Sequence, residues 1–220
     1  MTENQAREEI CRIGASLYQR GYVHAAAGNI SIRLDDGLLI TPTEACLGFL
    51  DPATLARLDQ NGVQAGGLPA SKTIALHTRI YRAAARFDAQ TRCVVHTHST
   101  HAVALSLQPC NGEWLPPVTP YFVMKVGHVP LIPYHRPGDP GAAVLVAETI
   151  SRYGEQGTPI RAVMLARLGP NVWHQTPAAA MAVLEELEET ARLCLLSGSA
   201  PKPLTEIQID ELRQTFGARW

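Results

Sequence analysis

Helix-period segments alternate along this chain with short strand-like runs, several of them in hairpin-like pairs. The pattern predicts an α/β fold, a three-layer sandwich with a mostly antiparallel central sheet and helices on both faces. Three observations carry the prediction. Ile10, Ile13, Leu17 and Tyr18 fall on one face of a first helix that stops near Gly21. Residues 30–34 alternate apolar and polar, Asp35, Asp36 and Gly37 make a turn, and Leu38 begins a second run, as in a β-hairpin. Near the far end Thr176 caps, Pro177 takes the first helical position, and a long helix runs to Gly198.

The elements between follow in order. Asp51-Pro52 opens a short helix or turn, and Asn61-Gly62 and Gly66-Gly67 punctuate further turns. Ser71 is placed to cap a helix running to about Arg86, with Ile74, His77, Ile80, Tyr81 and Ala84 near one face. Cys93 to His96 reads as a buried strand that breaks at residues 97–99 into another helix start. Residues 118–124 and 129–132 read as extended, residues 142–153 as helix and residues 161–168 as an apolar strand that Gly169-Pro170-Asn171 turns into residues 172–174. A short helix near Glu206–Phe216 ends the reading. Nothing divides the chain, so residues 1–220 are expected to form a single domain.

Composition narrows the function classes. Apolar residues make up 46% and charged residues 18%, an ordinary globular balance. A net charge of −1 gives no electrostatic footprint for nucleic acid or an acidic membrane, so an anionic ligand must be held by a local site. No stretch approaches the ~20 apolar residues that span a bilayer, and the first nine residues lack a signal peptide's apolar segment. Five scattered cysteines without close pairing fit a reducing compartment, and a cytoplasmic location is expected.

Three segments have residue types that can do chemistry. In Val95-His96-Thr97-His98, histidines two apart in a strand share a face and can reach one metal ion. Spacing alone also fits two ordinary polar residues at a strand end. Gly28-Asn29-Ile30-Ser31 followed by Thr41-Pro42-Thr43 offers amide and hydroxyl donors for a phosphate or carboxylate. Ala70-Ser71-Lys72-Thr73 sits just before a helix, where backbone N–H groups attract anions. Taken singly, turn and capping chemistry accounts for the last two equally well.

In this order, the segments make the chain resemble the class II aldolase/adducin family, over nearly its whole length. Leu47-Gly48 and residues 133–138 are most similar to the branch that decarboxylates 3-oxo-tetronate 4-phosphates. The resemblance implies a divalent-metal lyase, zinc-dependent or manganese-dependent, acting on a small phosphorylated sugar acid and assembled as a homotetramer. His96 and His98 match the first two metal ligands; Asn29, Thr43, Ser71 and Lys72 match the phosphate cradle. Tyr121 lies near a tyrosine that donates a proton from a neighbouring subunit. Two positions depart from the family. Thr73 stands where many relatives have an acidic base, and Leu168 stands where the third histidine ligand is expected. His135 and His174 are the candidates to replace that ligand, and Arg167 is placed to pair with a substrate anion. The resemblance leaves two other readings open: a sugar-phosphate aldolase, disfavoured by Thr73, and a non-catalytic adducin-like interaction module.

Overall fold

A computed structural model describes residues 1–110, 113–198 and 201–220. The order along the chain is α1 (Glu3–Gln19), β1 (Asn29–Leu34), β2 (Gly37–Ile40), β3 (Ala56–Asp59), β4 (Gln64–Gly66), α2 (Ile74–Ala84), β5 (Cys93–His96) and α3 (Thr100–Leu105). It continues with α4 (Pro120–Lys125), β6 (Leu131–Ile132), α5 (Pro140–Glu155), β7 (Ala162–Leu165), β8 (Gly169–His174), α6 (Pro177–Leu196) and α7 (Glu206–Phe216). The strands form one sheet in the order β4-β3-β2-β1-β5-β8-β7-β6, antiparallel except for the β6–β7 pair.

Alternation along the strands builds two cores. On one face Ile30, Ile32, Cys93, Val95 and Val172 pack with Ile10, Ile13 and Leu17 of α1 and Leu184 and Leu187 of α6. On the other, Leu38, Ile40, Val94, Val163 and Trp173 pack with Ile80 and Tyr81 of α2 and Val146 and Ile150 of α5. Burying a large aliphatic side chain stabilises by about 1.5–3 kcal/mol, so both helical layers are held mainly by these stripes. The predicted α/β sandwich with a mostly antiparallel sheet is the observed architecture. Among the described residues no helix is long and apolar enough to cross a membrane.

Some local expectations are corrected. Ser71 does not cap α2: the helix starts at Ile74, and the Ser71 hydroxyl instead lies 2.9 Å from that of Thr73. The extended reading of residues 118–124 fails. Thr119 accepts a bond from the backbone N–H of Phe122, Pro120 takes the first helical position, and α4 follows. Its β-branched residues favour a strand, but the cap and proline win locally. Gly169 belongs to β8, and the β7–β8 connection is the shorter turn through residues 166–168.

Candidate functional site

Backbone hydrogen bonds bring the three motif segments to one end of the sheet. Thr41 donates its N–H to the Ile30 carbonyl at 3.0 Å, and its hydroxyl accepts from the N–H of Ile30 at 3.2 Å. Thr43 N–H reaches the Pro69 carbonyl at 2.9 Å, and Ser71 N–H reaches the Thr41 carbonyl at 3.2 Å. Asn29, Thr43 and Ser71 are thereby fixed beside one another by main chain, which loses less entropy on binding than a cradle of free side chains. The cavity they border has a volume of about 350 Å³, within the usual range for small-ligand sites.

Across the sheet, Asn29 pairs with His96 and His96 with Asn171, so three polar side chains form a row on the face that carries α2 and α5. All three are buried. His96 Nδ1 lies 2.9 Å from the Pro170 carbonyl, which can only accept, so Nδ1 carries the proton and Nε2 keeps its lone pair. Burial drives the His96 pKa down to about 3, with His98 adding and the Pro170 bond opposing. His98 is also shifted down, first by burial and then by His24. Both imidazoles are therefore neutral near pH 7, the protonation state of a ligand.

The strand argument for the histidine pair needs amending. β5 ends at His96, and His98 lies two residues beyond, in a turn held by the Thr97 N–H bond to Pro170 at 3.3 Å. Its ring nevertheless comes to 5.0 Å from that of His96, centroid to centroid. Two imidazoles bound to one tetrahedral ion through bonds of ~2.0–2.1 Å place their centroids about 5 Å apart. On tautomer, charge and separation, His96 and His98 fit a divalent metal.

Two glycines clamp this turn. A Cβ on Gly28, at φ +83°, would sit 2.8 Å from the His96 carbonyl oxygen. One on Gly169, at φ +140°, would sit 1.9 Å from that of Thr97. From below, Glu188 of α6 accepts from the backbone N–H groups of His101 and Ala102 and from the His101 ring, capping α3.

Not every expected residue reaches the cavity. Asn29, Thr43, Ser71, Lys72, Thr73, His96 and His98 line it, and so does Leu168. His174 does not: it pairs with Cys93 at the opposite end of β5, beside Asp88 and Arg161. His135 faces Asp139 at 3.6 Å and is outside the lining, although Arg136 to Pro140 border it. Neither histidine stands with the pair, because β8 and the loop before α5 carry them away. Arg167 takes a left-handed conformation at φ +67°, and its N–H bonds Ser106 away from the lining. Tyr121 is 63% exposed on α4 and does not border this chain's own cavity. Among the described residues, no three His, Cys, Asp or Glu side chains already enclose one point.

Sequence reasoning missed four charged residues of the lining, Glu44, Asp139, Arg79 and Arg136. Neither arginine has an ion pair among the described residues, whereas Lys72 only approaches Glu44 at 3.9 Å. Arg79 sits in the second turn of α2, four residues after Ala75 on the same helical face, and both border the cavity. His77 was read as part of the helix's apolar face. It is fully buried, its Nδ1 lies 2.7 Å from Ser31 Oγ, and burial followed by the charge of His96 pushes its pKa to about 3.

Residues 8–195 match the family described as Class II Aldolase and Adducin N-terminal domain. A protein of Cupriavidus necator named 3-oxo-tetronate 4-phosphate decarboxylase is 52% identical over 229 residues, spanning 100% of this chain and 99% of that one. A protein of the same name from Escherichia coli is 43% identical, covering 96% of each chain. The crystal structure of YgbL from Klebsiella pneumoniae superposes with a TM-score of 0.83 at 40% identity, covering 97% of this chain and 100% of that one.

Proposed function

The chain belongs to the class II aldolase and adducin family, and on that footing we propose that it is a metal-dependent carbon–carbon lyase that decarboxylates a 3-oxo-tetronate 4-phosphate to a triose phosphate. The observation that carries the reading is one cavity in which two neutral imidazoles face a cradle of amide, hydroxyl and ammonium donors. The full-length similarity to proteins of that name supports the substrate class.

In this reading Asn29, Thr43, Ser71 and Lys72 hold the phosphate, and Lys72, 80% exposed, swings onto it as a point charge. His96 and His98 would hold a zinc or manganese ion, which would supply Lewis acidity at the substrate's 3-oxo oxygen. The C–C bond to the carboxylate breaks, its electron pair enters the carbonyl system, carbon dioxide leaves, and the enolate takes up a proton. Bond cleavage generates the enolate without prior proton abstraction, so Thr73 is no obstacle. Its hydroxyl orients Ser71 at 2.9 Å and does not act as a base. Tyr121, exposed on α4, donates the final proton into a neighbouring chain's site in a homotetramer. The enzyme works in the cytoplasm.

The test is carbon dioxide release from a synthetic 3-oxo-tetronate 4-phosphate, with the triose phosphate quantified by a coupled reductase. Release abolished by chelator and restored by zinc or manganese is expected. No release, together with no metal uptake, would refute the reading in favour of an interaction module that keeps the fold alone.

A further inference from the structure

A zinc ion in a catalytic site usually has three protein ligands and one open position. His96 and His98 provide two, and Leu168 on the cavity wall cannot provide the third. Each remaining histidine except His24 has one ring nitrogen engaged, which fixes the ring's place without excluding its other nitrogen as a ligand, as His96 on Pro170 illustrates. His77 faces Ser31, His101 faces Glu188, His128 faces Glu113 and His135 faces Asp139. His174 accepts from the N–H of Gln175. Among the described residues only His24 and His98 have rings without a hydrogen-bond or ion-pair partner, and these two are neighbours, with centroids 6.5 Å apart and planes at 77°.

We propose that His24 is the third metal ligand of this chain, replacing the imidazole that position 168 lacks. The proposal rests on the metal-dependent reading above. The turn supports it structurally. Ala27 N–H bonds the His24 carbonyl at 2.9 Å, and Ala26, Ala27 and Gly28 border the cavity directly after His24, which stands just outside the lining at its edge. Gly28 seats the turn against the His96 backbone, so the base of the His24 side chain is registered to the pair. Ala25 is held at φ +47°, a conformation costing a non-glycine residue about 1–2 kcal/mol, which persists only where the surroundings require that path. The His24 side chain is exposed and unpinned, free to change rotamer within nanoseconds, and its ring stands about 1.5 Å further from that of His98 than the ~5 Å spacing of co-ligands. That ligand set predicts a site assembled by zinc rather than rigidly preformed.

Zinc titration against a competing chelating dye, with X-ray absorption to count imidazoles, tests the proposal on the full chain. Wild type is expected to bind one zinc with three imidazoles. His24→Ala is expected to fold normally, since the residue is exposed, and to show two imidazoles. Its affinity should fall by more than the ~10–100-fold typical of losing an outer-shell partner. In the double variant His24→Ala with Leu168→His, an imidazole returns to the cavity wall and affinity should recover. An unchanged zinc affinity and imidazole count in His24→Ala would overturn the proposal. If His96→Ala still abolishes uptake in that case, the metal-dependent reading stands without His24. Wild type that takes up no zinc at all would overturn both.

Discussion

Acid should unfold this protein through its histidines before its carboxylates titrate. His77 and His96 are both buried, and both have pKa values near 3, against about 6.5 in an unfolded chain. Because the folded value lies below the unfolded one, the unfolded chain binds more protons between them. The stability contributed is present above about pH 6.5 and is lost as pH falls toward 3. Each group costs up to about 1.4 kcal/mol per pH unit in that window. Lowering the pH from 6.5 to 5.0 should therefore remove about 3 kcal/mol for the pair, a large part of a typical total of about 5–15 kcal/mol. In a chain of this size that is a fall in Tm of roughly 6–12 °C. His98 and His174, half-buried and shifted the same way, add to the trend. The carboxylates held low by arginine or backbone N–H groups, Glu3, Glu9, Asp59 and Asp139, titrate below this range. The assay is urea unfolding at fixed protein concentration with a chelator present, so that metal release does not contribute. His77→Gln keeps a partner for Ser31 and removes one titration, and should roughly halve the slope. Stability that is flat from pH 6.5 to 5.0, or a full slope in His77→Gln, would refute the reasoning.

Gly169→Ala drives a methyl into the Thr97 carbonyl at a φ of +140°. It should cost more than about 2 kcal/mol by calorimetry and weaken zinc binding as the His96–His98 turn shifts. A variant with wild-type Tm and zinc affinity would show that the turn is not clamped there. Glu188→Ala leaves the N–H groups of His101 and Ala102 without their buried acceptor, and a loss of about 3 kcal/mol is expected in urea. A loss below 1 kcal/mol would exclude that capping role. Arg79→Gln and Arg136→Gln remove unpaired cations from the cavity lining and should raise KM about 5–30-fold for a doubly anionic substrate, with kcat less affected and the difference shrinking in high salt. An unchanged KM in both would remove these arginines from substrate binding.

What the sequence revealed and what it hid follow from the range of the interactions. Caps, turns and apolar periods are local, and so Thr176-Pro177, the first hairpin and the last helix could be placed from their own residues. Thr119-Pro120 carries the same cap-and-proline signature as Thr176-Pro177. It was outweighed by the β-branched residues around it, although a six-residue helix needs little more than its cap. The cradle was legible because its three motifs are each contiguous. The relation of His24 to His98 was not, because the two lie 74 residues apart and meet only through the pairing of β1 with β5. His174 was misplaced for the converse reason. Each residue along β8 moves about 3.4 Å from the β7–β8 turn. The register that sets His174 opposite Cys93, away from His96, exists only once the sheet has formed.

Where the fold departs from its own rules is itself evidence about function. Among the described residues the non-glycine ones with positive φ are Ala25, Glu44 and Arg167, and all three lie on connections at the end of the sheet where β1 begins and β5 and β7 end. Buried side-chain polar atoms without a partner among the described residues are Asn29 Oδ1, His77 Nε2, Trp114 Nε1 and both amide atoms of Asn171. All but Trp114 belong to the face that carries His96. Each such atom costs about 1–3 kcal/mol, and each left-handed residue about 1–2 kcal/mol. Random imperfection would scatter these costs over both cores and both sheet ends. Here the two apolar layers are regular, and the cost gathers around His96, where a ligand that donates to Asn29, the one of these side chains that borders the cavity, would recover part of it. Asn29→Val therefore separates the two uses of that position. It should raise Tm in the ligand-free protein by relieving an unsatisfied amide oxygen, and it should lower affinity for the substrate. A variant that is less stable and binds as wild type would mean that Asn29 serves the fold rather than the site.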